Sequence, residues 1–111
     1  MFAVILLQIT AYAGEKNFSV DYINNHPRYI VDCLTKHLIE KGYQTGPAEN
    51  DSANIMREMT VYKNGQTAGV YWIDKARVGA IGRSVNTHQV QDWAHQDMDD
   101  VLHMCKSELD K

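Results

Sequence analysis

The sequence predicts a small α+β domain in which two helices pack on a three-stranded antiparallel meander, in the order α-β-β-β-α. Three observations carry that expectation. Apolar residues recur at helical spacing from Pro27 to Lys41 and again from about Thr87 to Leu109. Between them, two short runs flank Asn64-Gly65, the dipeptide that most readily supplies the positive φ angles of a two-residue type I′ hairpin. Finally, 111 residues suffice for one core but not for two, so residues 14–111 are expected to form a single α+β domain.

Taken in order, the opening segment MFAVILLQITAYA carries no charge. Its apolar run is far too short to span a bilayer as a helix. It ends in Ala11-Tyr12-Ala13, the small-x-small pattern of a signal-peptidase site, and Gly14-Glu15-Lys16-Asn17 reads as a mature N-terminus. Residues 1–13 are therefore read as the remnant of a signal peptide, and the protein as periplasmic or secreted. The absence of Lys or Arg beside Met1 departs from that pattern. The alternative is that Ala3-Val4-Ile5-Leu6-Leu7 forms a buried first strand.

In the first helix Ile30, Cys33, Leu34, His37 and Leu38 form one stripe. Pro27 suits the first helical position, with Asn25 or His26 as the cap. Gly42 suits a left-handed ending that lets Tyr43 pack back on Leu38. Asp21-Tyr22-Ile23 reads as a further turn before this helix. Gln44 to Asn54, rich in Gly, Pro, Asn, Asp and Ser, reads as an exposed connection.

The hairpin strands are Ile55–Lys63 and Gln66–Asp74, followed by a third strand at Arg77–Ile81. Gly82 to Asn86 is then a loop, with Asn86 or Thr87 capping the second helix. That helix carries the stripe Val90, Trp93, Ala94, Met98, Val101, Leu102 and Cys105. Cys33 and Cys105 both fall on core-facing stripes of helices that can be neighbours, which predicts a Cys33–Cys105 disulfide. An oxidising compartment would permit it, while two buried thiols would occupy the same positions in a reducing one.

Composition narrows function more by exclusion than by signature. A net charge of −3 gives no electrostatic reason to expect nucleic acid, and nothing points to a membrane partner. There is no Gly-x-Ser-x-Gly, bridged cysteines are no nucleophiles, and Asp97, Asp99 and Asp100 lie on a solvated helix. No catalytic residue and no cofactor is assigned. His95, Asp99 and His103 follow one another at helical spacing, but ligands two turns apart stand about 12 Å from one another. A solvated polar face is the plainer reading of that row. His37 reads as a hydrogen-bonded packing residue.

Two features suggest a binding surface. Gly79-Ala80-Ile81-Gly82-Arg83-Ser84 lacks the spacing and lysine of a phosphate loop. Its glycines would instead let a loop protrude and present Arg83 and Ser84 to an acidic partner. Tyr62, Tyr71 and Trp72 lie on adjacent strands, and Tyr71 and Trp72 must point to opposite sides of the sheet. If both helices cover one side, the other carries an aromatic surface of the kind found in interfaces or a homodimer seam; the alternative is simple core packing, with the opening segment or a helix covering that second side.

The expectation is an exported, non-enzymatic binding protein of inhibitor or immunity type that occludes a partner hydrolase or toxin. Its contacts would come from Arg83, Ser84, Tyr62, Tyr71 and Trp72. In general character such a chain is similar to small periplasmic immunity and lysozyme-inhibitor proteins, without a motif diagnostic of either. The alternatives are a metal- or small-molecule-binding protein using the His95/Asp99/His103 face and a structural homodimer subunit.

Overall fold

A computed structural model describes residues 17–23, 26–50, 56–74 and 82–110. The opening segment of residues 1–13 and the strand expected at Arg77–Ile81 lie outside these described residues. The elements are β1 (Ser19–Ile23), α1 (Pro27–Glu40), β2 (Gln44–Thr45), β3 (Glu49–Asn50), β4 (Met56–Lys63), β5 (Gln66–Asp74), β6 (Gly82–His88) and α2 (Asp92–Leu109). All six strands join one antiparallel sheet in the order β1-β6-β5-β4-β2, with β3 also paired to β4. The α+β class holds, and a β4-β5-β6 meander forms the middle of the sheet.

Three local expectations change. Asp21-Tyr22-Ile23 is not a helical turn but part of β1, where Val20 and Tyr22 are buried while Ser19 and Asp21 are exposed. That alternation is the period of a strand. Gln44 to Asn54 is not a bare connection, since Gln44 and Thr45 pair with Tyr62 and Val61 of β4, and Glu49 and Asn50 pair with Glu58 and Arg57. The stretch Gly82 to Asn86 is not a protruding loop. It belongs to β6, held between β1 and β5, with Val85 and Thr87 buried. The helix consequently starts at Asp92, with Gln91 rather than Asn86 or Thr87 as its cap.

α1 follows its sequence signals. The His26 Nδ1 accepts from the Arg28 backbone N–H at 3.1 Å, and Pro27 takes the first position. At the other end Gly42 adopts φ +89°, and the Tyr43 N–H donates to the Leu38 carbonyl at 2.9 Å. This closes the helix as a left-handed C-terminal cap does. The hairpin turn likewise has positive φ at Asn64 (53°) and Gly65 (77°).

The sheet is irregular at one place. Val61 pairs with Gly69 but Tyr62 pairs with Thr67, so Ala68 is the extra residue of a bulge. Ala68 and Gly69 are consequently both buried. A Cβ at Gly69 would lie 3.1 Å from Met98 Sδ and 3.1 Å from Val90 Cα. Glycine is what allows the segment entering α2 to lie against β5.

Both helices cover one side of the sheet. Val20, Tyr22, Met59, Val61, Tyr71, Ile73 and Val85 of the strands meet Ile30, Leu34, Leu38, Ala94, Met98 and Leu102 of the helices in one buried core. Three tyrosines fix the position of α2 on this layer. Tyr43 donates to Asp97 Oδ2 at 2.8 Å, Tyr71 to the Met98 carbonyl at 2.6 Å and Tyr22 to the Leu102 carbonyl at 2.6 Å. Among the described residues no helix is long and apolar enough to cross a membrane.

Candidate functional site

The side of the sheet turned away from the two helices is built by strand alternation. On β5 the inward residues are Tyr71 and Ile73, so Val70, Trp72 and Asp74 face outward. Val70 pairs with His88 and Trp72 with Asn86 on β6, while Thr60 and Glu58 of β4 stand opposite Val70 and Trp72. The Trp72 and His88 rings stack at 4.4 Å between centroids and 17° between planes. Tyr62 lies on β4 beyond the bulge, at 36% exposure. This side thus carries the aromatic and aliphatic residues Tyr62, Val70, Trp72 and His88, with Glu58 opposite Trp72 and Asp74 two residues further along β5.

Of the residues expected to meet a partner, Trp72 and Tyr62 therefore share this side. Tyr71 does not. Its ring is fully buried and its hydroxyl is spent on the Met98 carbonyl, which makes it part of the core. Burial holds the Tyr71 phenol well above its ordinary pKa, with nearby Tyr22 adding to the shift. Desolvation does the same at Tyr22, and at Tyr43, where the bond to Asp97 adds to it. Ser84 is placed on β6 with its hydroxyl donating to Asp21 Oδ1 at 2.6 Å. Arg83 occupies the register position opposite Tyr22 in the same strand. A protruding cationic loop at this point is thus replaced by sheet. Strand β1, which creates the pairing, carried too weak a sequence signal to anticipate it.

The second cluster lies between the helices. Cys33 of α1 and Cys105 of α2 are joined by a disulfide, with Cα atoms 5.8 Å apart. His37, one helical turn after Cys33, is buried beside it. Its Nδ1 lies 3.0 Å from Glu40 Oε1 and its Nε2 lies 2.9 Å from Glu108 Oε1. The other oxygen of Glu108 is 3.3 Å from Cys33 Sγ. A bridged sulfur has no proton to donate, so this is a contact and not a hydrogen bond from the cysteine. An imidazole nitrogen of His37 and the two sulfurs lie within 4.8 Å of one another. The sequence stripe revealed Cys33, His37 and Cys105. Glu108 was missed because an acid near the end of an exposed helix looks solvated until the helices are set side by side.

The row His95, Asp99, His103 does not gather in the same way. His95 packs edge-on against Phe18, with ring centroids 5.3 Å apart. His103 instead turns to its own helix, with Nδ1 3.0 Å from the Asp99 carbonyl and 3.2 Å from Asp99 Oδ1. Among the described residues, the group with metal-ligand spacing is Cys33, His37 and Cys105. Comparison with protein-family models, with curated protein sequences and with solved structures finds no match to this chain.

Proposed function

We propose that this chain is an exported, non-enzymatic protein-binding domain of inhibitor or immunity type, which docks a partner protein on the outer side of its sheet. The observation that carries the reading is the Trp72–His88 stack beside Val70, with Tyr62 further along β4, on the side turned away from the helices. Tryptophan and tyrosine on a strand-built support provide contact area at little cost in conformational entropy, and they dominate the energetics of many interfaces. Rigidity is supplied from behind, where Tyr22 and Tyr71 tie α2 to the sheet, the disulfide ties α2 to α1, and the Tyr43–Asp97 bond ties α2 to the segment that follows α1. The bordering Glu58 and Asp74 favour a partner surface with basic groups around an apolar centre.

Export agrees with the intramolecular disulfide, which persists in an oxidising compartment such as the periplasm or the extracellular space. A hydrolase or toxin whose active site is covered by this face is the partner class the proposal names. The test is capture from periplasmic or secreted extract by the oxidised chain, with Trp72→Ala and Tyr62→Ala as parallel baits. Trp93→Ala serves as a control, because Trp93 is 49% exposed on α2. The expected result is one stoichiometric partner, lost with Trp72→Ala, weakened with Tyr62→Ala and kept with Trp93→Ala. Loss only with Trp93→Ala, or recovery of nothing but a second copy of the chain, would overturn the reading.

A further inference from the structure

The disulfide sits inside a set of side chains richer than a structural bridge needs. α1 offers Cys33 and His37, four residues apart, and α2 offers Cys105 and Glu108, three apart. Each pair therefore projects from one helix face across consecutive turns. The two pairs face each other. Glu108 reaches both partners on α1, at 2.9 Å from His37 Nε2 and 3.3 Å from Cys33 Sγ, while the imidazole and both sulfurs lie within 4.8 Å of one another.

A tetrahedral zinc site with Zn–S bonds of about 2.3 Å and Zn–N and Zn–O bonds of about 2.0 Å puts neighbouring ligand atoms about 3.3–3.8 Å apart. The imidazole and both sulfurs lie within 4.8 Å of one another and Glu108 already touches His37 and Cys33, so opening the disulfide is the movement that would bring the sulfurs to that spacing. The outer contact is also present. Glu40 Oε1 stands 3.0 Å from His37 Nδ1, placed to hold the ring proton there when a metal takes Nε2, the nitrogen turned toward Glu108. A carboxylate behind the histidine is the arrangement that orients zinc-bound imidazoles.

We propose that the dithiol form of this protein binds one Zn²⁺ between its two helices through Cys33, His37, Cys105 and Glu108. Metal and disulfide are then alternative cross-links of the same helix pair. A dithiol reductant transfers two electrons and two protons to the Cys33–Cys105 bond, becoming a disulfide itself and leaving two thiols. Zn²⁺ displaces both thiol protons to solvent as the two Zn–S bonds form. Exchange with a disulfide oxidant closes the Cys33–Cys105 bond again and releases the metal, while the oxidant takes the two electrons, and two protons from solvent, to become its dithiol. This site is independent of the partner surface on the outer sheet, so the two readings stand or fall separately.

The experiment is a Co²⁺ titration of the full chain, reduced with a phosphine and kept free of oxygen, followed by back-titration with Zn²⁺. The expected result is one Co²⁺ per reduced chain, with a sulfur-to-cobalt charge-transfer band and the visible bands of tetrahedral cobalt, displaced by one equivalent of Zn²⁺. The oxidised chain shows neither. His37→Gln and Glu108→Gln each weaken binding at least about tenfold and alter the visible bands, whereas His103→Ala changes nothing.

Equal binding by the oxidised chain would place the metal elsewhere and contradict the proposal. So would an unaltered affinity and spectrum in both His37→Gln and Glu108→Gln. If the reduced, metal-free chain loses helical circular dichroism, Zn²⁺ must restore it; failure to do so overturns the proposal as well.

Discussion

Tyr22 and Tyr71 place hydroxyls against the carbonyls of Leu102 and Met98, one helical turn apart on α2, and both phenols are held above their ordinary pKa by burial. The consequence is a one-sided pH dependence. Below about pH 10 these phenols are protonated in both the folded and the unfolded chain, and stability does not respond to them. Above that, the unfolded chain ionises first, so stability falls as pH rises, by about 1.4 kcal/mol per pH unit for each phenol still protonated in the folded state. Denaturant unfolding between pH 7 and 11 should show this fall, and Tyr22→Phe or Tyr71→Phe should each make it shallower. At neutral pH each of these variants should cost about 1 kcal/mol, the usual net worth of one buried hydrogen bond. An alkaline slope unchanged in both variants would contradict this account. At Gly69 the argument is steric. Its missing Cβ would meet Met98 Sδ and Val90 Cα, both at 3.1 Å. Gly69→Ala should therefore destabilise by about 1–3 kcal/mol, while Gly65→Ala, which has open space but φ +77°, should cost about 1 kcal/mol through backbone strain alone.

At the scale of elements, the parts legible in the sequence were those whose signals are local. The α1 helix carries its start at His26 and Pro27 and its stop at Gly42, and the hairpin carries Asn64-Gly65; all three behave as their chemistry requires. β1 and β6 were not legible, because each depends on the other across most of the chain. Val20 and Tyr22 alternate over too few residues to announce a strand until Val85 stands opposite Val20. Gly82-Arg83-Ser84 resembles a turn until that pairing is known. The helix pair was legible through its cysteines, and it supports a quantitative expectation. The bridge closes a loop between residues 72 positions apart, which in the chain-entropy model stabilises by about 4 kcal/mol. Reduction without metal, or the Cys33→Ser, Cys105→Ser double variant, should lower unfolding free energy by about that amount. A loss below about 1 kcal/mol would mean that the tyrosine bonds alone hold α2 in place.

For the molecule as a whole, the decisive fact is that both helices pack on one side of the sheet. Alternation alone shows that Tyr71 and Trp72 face opposite ways, but it does not say which of them the helices cover. That choice is made by the match between the Val61, Tyr71 and Val85 side and the stripes of α1 and α2. It leaves Trp72, half-buried and stacked on His88, on the side turned away from the helices. The same packing brings Glu108 to His37 and Cys33, an encounter that no single helix encodes.

The central claim, that a partner protein docks on the outer sheet, is tested most directly by photo-crosslinking in the source cells. A photoreactive residue is placed at Val70 on that surface or at Ile39, which is 58% exposed on α1. The account predicts a single covalent adduct to another protein from position 70 and none from position 39. An adduct from position 39 alone, or from position 70 only to a second copy of the chain, would contradict it.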